Sequence, residues 1–330
     1  MIQSPRYSAI IVTLSYDRSA AVVLLPPISG GRLQDARLAT WLSRATLGRA
    51  AGQQVRLETI LAALNLQYPA EGVAALRMWG QTGERPDVWI AAADPVYLEP
   101  RLDHLCLHAL DSGFVPPADL AALLGYLQAK LAEDAHYGFA RIDSWLYVRS
   151  TVPMASARLP SCLVDQQLPN EFMPTGAQAG PYRALRSEVE MALHDSELNA
   201  QRQARGLPPI NSLWLWGGGH APAQRTAALP PLFAGDALLR GYWLCNTGVV
   251  APWPGSIAAC LAASAAGFVA EPDFAADDID ALEDCLHALR AALRTGRLSR
   301  LQLIFHDGLE AQVERRDAWR LWRRRAALLA

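Results

Sequence analysis

The chain has 330 residues, of which 51% are hydrophobic, so it can bury a large core as one large α/β domain or as two smaller units. Its 30 Lys and Arg residues and 32 Asp and Glu residues leave a formal net charge of -2, which excludes a global attraction for nucleic acid or an anionic membrane. We therefore expect a small anionic ligand or a protein as the partner, and neither a membrane nor nucleic acid.

Cysteine usage and hydropathy predict a cytoplasmic protein. The 5 cysteines are widely spread, odd in number and form no C-x-x-C pair, which is typical of buried thiols in a reducing compartment. The start of the sequence shows no basic region followed by an apolar stretch and a cleavage site. The longest run of small apolar residues, Ile257 to Ala270, is too short to span a bilayer and favours a buried helix.

The first third of the chain predicts a sheet with flanking helices. Apolar, β-branched runs at Ser8 to Leu14 and Ala20 to Leu25 indicate two core strands. Helical spacing of apolar residues predicts two amphipathic helices within about residues 34 to 66. Val88 to Ala93 is typical of a buried strand, and Asp94-Pro95 predicts a turn at its end.

The middle of the chain predicts an inserted α+β subdomain within residues 100–205 of one core that spans residues 1–330. The predicted elements are a strand at Leu102 to Leu110, a helix at Asp119 to Glu133, a strand at Ser144 to Val148 and a helix at Pro181 to Arg205. Residues 151–180 are rich in Pro, Gly and polar residues, which indicates a long surface connection.

The last third predicts a βαβ unit followed by a long helix and a strand. Gly241 to Cys245 and Phe268 to Ala270 read as strands on either side of a helix at Ser256 to Ala266. Apolar residues from Ile279 to Leu293 step by three and four, with acids at the start and Arg at the end, as in an amphipathic helix. Leu301 to Phe305 predicts a strand that ends at His306-Asp307-Gly308.

The segment Gly206 to His220 is the strongest candidate for a binding site. It combines a proline turn, a short aromatic strand and three glycines, whose N–H groups can converge on an anion. The sequence matches neither G-x-x-x-x-G-K-[ST] nor G-x-G-x-x-G, so a tight turn remains the alternative, as does core packing for the tryptophans. The candidate ligand-binding residues are Asn211, Ser212, Trp214, Trp216, Gly217, Gly218, Gly219 and His220.

Further polar residues are candidates for chemistry elsewhere. Asp94, His220 and Asp307 follow predicted strands, where catalytic groups of α/β proteins often lie, although each aspartate is equally typical of a turn or a helix cap. A polar series on one predicted helix comprises Glu188, Glu190, His194, Asn199 and Arg202, and a solvated helix gives the same pattern. His104 and His108 have chelating spacing on a helix but lie in a strand-like pattern without H-E-x-x-H, so we predict no metal site.

The sequence from Glu314 to Arg325 interleaves Arg with Trp319 and Trp322. Such a stripe could meet an acidic partner or RNA. The favoured interpretation is a surface helix with stacked Arg and Trp that closes the fold.

Two linked motifs carry a family resemblance. Glu188-x-Glu-x-x-x-His194 with Asn199-x-x-Arg202, followed by Gly206-x-Pro-Pro-Ile-Asn-Ser-Leu-Trp-Leu-Trp-Gly-Gly-Gly, resembles a proteobacterial family labelled phosphoglycerate mutase or the E-type regulatory protein of the Rpf cluster. That family is distantly similar to archaeal-type, cofactor-independent phosphoglycerate mutases. The resemblance implies an α/β fold of the alkaline-phosphatase superfamily, with a mixed or mostly parallel sheet flanked by helices.

The sequence departs from the metal signature of those mutases. Two-metal phosphoryl transfer needs clustered Asp and His ligands beside a Ser or Thr nucleophile. Here Ser15-Tyr16-Asp17 stands where the resemblance to the mutases implies Asp-Gly. The chain also departs from the proteobacterial family that it resembles, because His194-Asp-Ser196-Glu197 replaces His-x-His-Pro. We therefore expect a regulatory or ligand-binding protein with no cofactor. The alternatives are a phosphate-ester transferase or hydrolase, which would need Mn or Zn, and a protein-interaction module that docks through the Arg/Trp C-terminus.

Overall fold

The computed structural model describes residues 20–49, 55–110, 114–131, 136–194, 196–264 and 267–320. The strands are β1 (Ala20–Leu25), β2 (Thr46–Arg49), β3 (Trp89–Pro100), β4 (Leu105–Ala109), β5 (Tyr137–Ile142), β6 (Trp145–Ser150), β7 (Ser212–Gly219), β8 (Leu232–Phe233), β9 (Val250–Ala251), β10 (Phe268–Ala270), β11 (Arg300–Phe305) and β12 (Leu309–Glu314). The helices are α1 (Ala36–Ser43), α2 (Arg56–Ala63), α3 (Val73–Thr82), α4 (Pro117–Lys130), α5 (Ala179–His194), α6 (Glu197–Ala204), α7 (Ala237–Cys245), α8 (Ile257–Ala263) and α9 (Ile279–Thr295).

The first sheet is mostly parallel. Its order is β2-β12-β11-β1-β10-β8-β9, and the five strands from β11 to β9 run parallel. At one edge β12 pairs antiparallel with β11, and β2 pairs antiparallel with β12. All six residues of β1 are buried, because an unbroken apolar run suits a strand covered on both faces. Val22 and Leu24 pack into one hydrophobic core, and Ala21, Val23 and Leu25 pack into another on the opposite face.

The second sheet is antiparallel and is built around the long strand β3. On one side β3 pairs with β6 through residues 89–92 and with β4 through residues 96–100, and on the other side it pairs with β7. The sheet spans residues 89–219, and helices α4, α5 and α6 lie next to it. The predicted α/β class, with a mostly parallel sheet and an antiparallel subdomain, is thus confirmed, whereas the subdomain limits 100–205 stay a prediction.

Helices α3 and α7 join the two sheets through one core. That core contains Leu76 and Trp243 from the two helices together with Leu24 of the first sheet and Trp216 of the second. Helix α3 was not predicted from the sequence, so the residues of its first turn were not among the predicted site residues. Among the described helices, none is both long and apolar enough to cross a membrane.

Several predicted elements proved wrong in type or extent. Gly241 to Cys245 forms the end of α7 and not a strand, because the Asp236 side chain accepts from Leu239 N and caps a helix there. The βαβ unit instead begins at β9. The strand predicted to end at Asp94-Pro95 continues to Pro100. The helix predicted at Pro181 to Arg205 is divided into α5 and α6.

Other predictions are confirmed or lie outside the described residues. The structure confirms strands β1, β4, β6, β7, β10 and β11 and helices α1, α2, α4, α8 and α9 close to their predicted limits. The predicted strand at Ser8 to Leu14 lies outside the described residues, as does Trp322. The described part of the C-terminal stripe is a short 3-10 helix at Arg315–Trp319, and the side chain of Trp319 is exposed.

Candidate functional site

An open cleft lies where the N-terminus of α3 meets the end of β7. Its volume is about 310 Å³. The walls come from the segment before α3, the connection after β6 and the glycines of β7, and the lining residues are Tyr68, Pro69, Ala70, Glu71, Val73, Ser156, Ala157, Arg158, Gly217 and Gly218. Two of the eight candidate binding residues, Gly217 and Gly218, therefore line a cleft.

Gly217 and Gly219 are required by the packing of α3 on β7, and Gly218 by its contacts with Trp89 and Ser156. A Cβ atom at Gly217 would lie 3.2 Å from Ala74 N, and one at Gly219 would lie 2.4 Å from Gly72 N. Gly72 N also donates to Gly218 O over 3.0 Å. Close packing against α3, Trp89 and Ser156 thus accounts for the glycine run without any ligand.

The N-terminus of α3 presents its positive end at the cleft. The N-cap residue is Gly72, in the left-handed conformation with φ of 75°, and it offers no side chain to cap the helix. The first turn consists of apolar residues from Val73 onward and contains no acid. Because the first N–H groups of a helix lack intrahelical acceptors, this end is electropositive and suited to an anion.

Arg158 also lines the cleft and carries a positive charge there. Its side chain is 67% exposed and forms an ion pair with Glu58. The guanidinium lies 5.9 Å from the ring centre of Tyr68. Burial raises the pKa of Tyr68, Glu58 raises it further and Arg158 opposes the rise, so this phenol stays protonated. The Tyr68 hydroxyl is buried and has no hydrogen-bond partner among the described residues.

Ser156 holds the glycine end of β7 in place at the cleft. Its Oγ atom accepts a hydrogen bond from Gly218 N at 2.7 Å, and Ala157 N donates to Leu215 O while Gly217 N donates to Ala157 O. These bonds hold the connection after β6 against β7, which keeps Arg158 next to the N-terminus of α3.

The other predicted binding residues lie outside the cleft lining. Asn211 bonds through its side-chain amide to Leu98 N and O, and Ser212 Oγ donates to Glu190. Trp214 is buried and donates to Leu159 O. His220 is exposed beyond the end of β7. The structure therefore gives the first three side chains bonds within the fold.

Trp216 is one of three aromatic rings around the buried guanidinium of Arg77, an arrangement that was not predicted from the sequence. The guanidinium of Arg77 on α3 lies 4.2, 4.8 and 5.2 Å from the rings of Trp145, Tyr147 and Trp216. Arg77 Nε donates to the Tyr147 hydroxyl over 2.8 Å, and within the described ranges no carboxylate forms an ion pair with it. Tyr147 and Trp216 flank Ala92 in register, and this small residue leaves room for Arg77. The available signal was a lone Arg among apolar residues.

The two candidate catalytic aspartates form hydrogen bonds in separate sheets. Asp94 on β3 accepts from Ser161 N and Oγ at 3.1 and 2.9 Å. Asp307 follows β11 and accepts from Ile28, Ser29 and Leu309 N–H groups. Asp307 thus holds the turn after β11, whereas Asp94 lies within β3 and bonds the start of the 3-10 helix Ser161–Leu163. Neither carboxylate lines the cleft with Gly217 and Gly218.

The predicted polar helix face is divided between surface and core. Glu188 is half-buried and His194 exposed on α5. Asn199 is buried and bonds Leu193 O and Ile210 O and N. Arg202 is fully buried and pairs with Asp119 on α4 at 2.5 Å. The side chain of Asn199 thus joins α6 to α5, and that of Arg202 joins α6 to α4. Both side chains are buried and not exposed to a ligand.

Comparison with known proteins finds only distant structural likeness. No family model matches the sequence, and no curated protein matches it. The cofactor-independent phosphoglycerate mutase of Thermoplasma acidophilum has 13% sequence identity and a TM-score of 0.43, with 90% of each chain covered. The PH0037 protein of Pyrococcus horikoshii has 10% identity and a TM-score of 0.47, with 90% of this chain and 88% of that chain covered. Similarity of this degree does not identify the chemistry of this chain.

Proposed function

We propose that this chain is a regulatory protein that binds a small anionic ligand in the cleft between the N-terminus of α3 and Arg158. The observation that carries the proposal is the placement of an uncapped helix N-terminus and an exposed guanidinium on one cleft. Backbone N–H groups at a helix start and an arginine fork are both well suited to bind carboxylate or phosphate oxygens.

The cleft also limits the ligand. Arg158 is already paired with Glu58, so an incoming anion exchanges for that carboxylate, which the exposure of Arg158 permits. Glu71 is exposed in the cleft lining and repels a second anionic group there. A compact ligand with one anionic group next to an uncharged body therefore suits the site better than a polyanion.

In this proposal the protein binds its ligand but does not catalyse two-metal phosphoryl transfer. Asp94 and Asp307 are held by backbone and hydroxyl donors in different sheets, and the sequence at Ser15-Tyr16-Asp17 departs from the Asp-Gly of the mutases that the chain resembles. A two-metal centre requires carboxylate and imidazole ligands gathered around two ions a few ångströms apart. The enzyme alternative, with Mn or Zn, requires groups other than these to supply the ligands.

The test is a ligand panel read by thermal unfolding, because a ligand that binds only the folded state raises the Tm. We expect acetate and inorganic phosphate to raise the Tm of the wild type and of Arg183→Gln, an exposed arginine on α5, at constant ionic strength, and 3-phosphoglycerate, which carries two anionic groups, to raise it less. Arg158→Gln and the cleft-filling Ala70→Phe should lose the shift. Loss of the shift in Arg183→Gln as well would contradict binding at the cleft.

A turnover assay separates binding from catalysis. With added Mn²⁺ or Zn²⁺, we expect neither phosphoglycerate mutase nor general phosphatase turnover. Turnover that disappears in Asp94→Asn or Asp307→Asn, with the fold retained, would replace the regulatory proposal by the enzyme alternative.

A further inference from the structure

Three side chains of different chemistry meet on one face of the hairpin formed by β3 and β4. Glu99 lies directly opposite Cys106 in the strand register, and His108 follows two residues later on the same face as Cys106. One ligand atom from each side chain lies within 4.8 Å of the other two, and all three residues are half-buried. The cluster is separate from the cleft at α3.

The chemistry of this set matches a borderline divalent cation. A thiolate, an imidazole nitrogen and a carboxylate are the three ligand types that Zn²⁺ takes in proteins, at bond lengths of about 2.0 to 2.3 Å. A tetrahedral ion with such bonds separates its ligand atoms by about 3 to 4 Å. Deprotonated Cys106 and Glu99 would together balance the two charges of the ion, with neutral His108 as the third ligand.

The imidazole of His108 is already oriented. Its Nε2 atom lies 2.8 Å from Glu99 Oε2, and its ring stacks on Tyr97 with centroids 5.8 Å apart and an interplanar angle of 24°. An oriented ligand loses less side-chain entropy when the ion binds. His104 is not part of this cluster, although it lies four residues before His108. It bonds Asp103 at the exposed tip of the hairpin.

Arg101 competes with a metal ion for the carboxylate of Glu99. Its Nη2 atom lies 2.6 Å from Glu99 Oε2, and its side chain is 51% exposed and so free to turn away. We propose that Glu99, Cys106 and His108 form a Zn²⁺-binding site that ties β3 to β4, with Arg101 occupying the carboxylate until the ion displaces it. The Glu99, His108 and Arg101 contacts would also suit an ion-pair cluster alone, but such a cluster gives no role to Cys106.

The test is titration of the full-length, chelator-treated protein with Zn²⁺ by calorimetry and with Co²⁺ by absorption spectroscopy. We expect one ion per chain and a thiolate-to-Co²⁺ charge-transfer band. Cys106→Ser should abolish the band, and Cys106→Ser and His108→Gln should each weaken Zn²⁺ affinity more than 100-fold, because even outer-shell changes cost about 10 to 100-fold. Arg101→Gln should tighten binding, since it removes the competitor.

Two matched controls make the assignment specific. Cys162→Ser removes an exposed thiol, and His104→Gln removes the histidine at the hairpin tip. Both should keep the stoichiometry, the band and the affinity within about threefold. A band that persists in Cys106→Ser, or a full loss of binding in Cys162→Ser, would overturn the proposal. Circular dichroism of each variant shows whether a loss of binding reflects unfolding.

Discussion

Gly80 of α3 and Gly241 of α7 face each other at the closest approach of the two helices. A Cβ atom at Gly241 would lie 1.7 Å from Leu76 O, and one at Gly80 would lie 1.8 Å from Ala237 O. The helix backbones therefore touch without side chains between them. Because α3 also carries the wall of the cleft, this contact fixes the position of the proposed ligand site.

The first prediction concerns this helix contact. Gly241→Ala should lower the free energy of unfolding by at least about 3 kcal/mol, since the facing backbone cannot move aside as a side chain could. Gly125→Ala is the control, because Gly125 is also helical but has open space around it. It should stabilise the protein by up to about 1 kcal/mol. Urea unfolding of the three proteins measures both values, and equal behaviour of the two variants would contradict the close approach.

The second prediction concerns Gly218 in β7. A Cβ atom at Gly218 would lie 2.4 Å from Trp89 Cζ2 and 2.8 Å from Ser156 Oγ. Gly218→Ala should therefore cost about 1 to 3 kcal/mol. Gly48→Ala, in an exposed strand position with open space, should change stability by less than about 0.5 kcal/mol. If Gly218→Ala unfolds at the same urea concentration as the wild type, the packing explanation of this glycine is wrong.

The third prediction concerns the buried ion pair between α4 and α6. Arg202 has a fully buried side chain, donates to Phe114 O and Pro208 O as well as to Asp119, and has its pKa lowered mainly by burial. Arg202→Met should cost about 3 kcal/mol, because Asp119 loses its buried partner. Arg205 pairs with the same carboxylate but is 48% exposed. Arg205→Gln should cost no more than about 1 kcal/mol.

Chemical denaturation of both variants checks this assignment. Equal losses for Arg202→Met and Arg205→Gln would show that Arg202 has no special role in the core. A folded Arg202→Met variant with unchanged stability would reopen the interpretation of this residue as part of a binding face.

The fourth prediction concerns pH. Burial raises the pKa of Asp307, but the hydrogen bonds from Ser29, Leu309 and Ile28 outweigh it, so the pKa lies below its usual value. An acid whose pKa is depressed by folding stabilises the folded state above its unfolded pKa of about 3.9. This contribution is lost as the pH falls through the lower, folded value.

The measurement is the free energy of unfolding between pH 7 and pH 3. Asp307→Asn should be less stable than the wild type at pH 7 and should show a shallower loss of stability below about pH 4, because it has no carboxylate to protonate. Asp273→Asn, at an exposed position, should follow the wild-type curve. Parallel acid limbs for the wild type and Asp307→Asn would contradict this role.

Local sequence signals were sufficient where the hydrophobic pattern of an element matched its burial in the fold. The unbroken apolar run of β1 and the three-and-four spacing of α9 predicted both correctly. Gly241 to Cys245 has aromatic residues that favour strands, and only its contact with α3 shows why a glycine and large rings lie in a helix there. Tertiary packing therefore overrode local propensity.

The limits of β3 depended on its neighbours in space. Pro95 lacks an N–H donor, so Asp94-Pro95 predicted a turn. In the folded sheet, residues 93–95 lie between the part of β3 that pairs with β6 and the part that pairs with β4. A missing donor costs little at such a gap, and the strand continues. The sequence contains no local signal for this exchange of partners.

The candidate site was predictable in place but not in composition. Three consecutive glycines marked Gly217 to Gly219 as a place where backbone lies close to another group. That group is the start of α3, which was not predicted, and Arg158 lies in a segment interpreted only as a surface connection. A cleft whose walls come from three distant segments left a pattern in only one of them, the glycine run.

The most direct test of the proposed anion site is an NMR titration of the full-length protein with inorganic phosphate at constant ionic strength. The amide signals of Val73 and Gly218 should shift saturably in the wild type and in Arg183→Gln, and should lose this response in Arg158→Gln. Unperturbed signals in the wild type, or an equal response in Arg158→Gln, would contradict anion binding between α3 and Arg158.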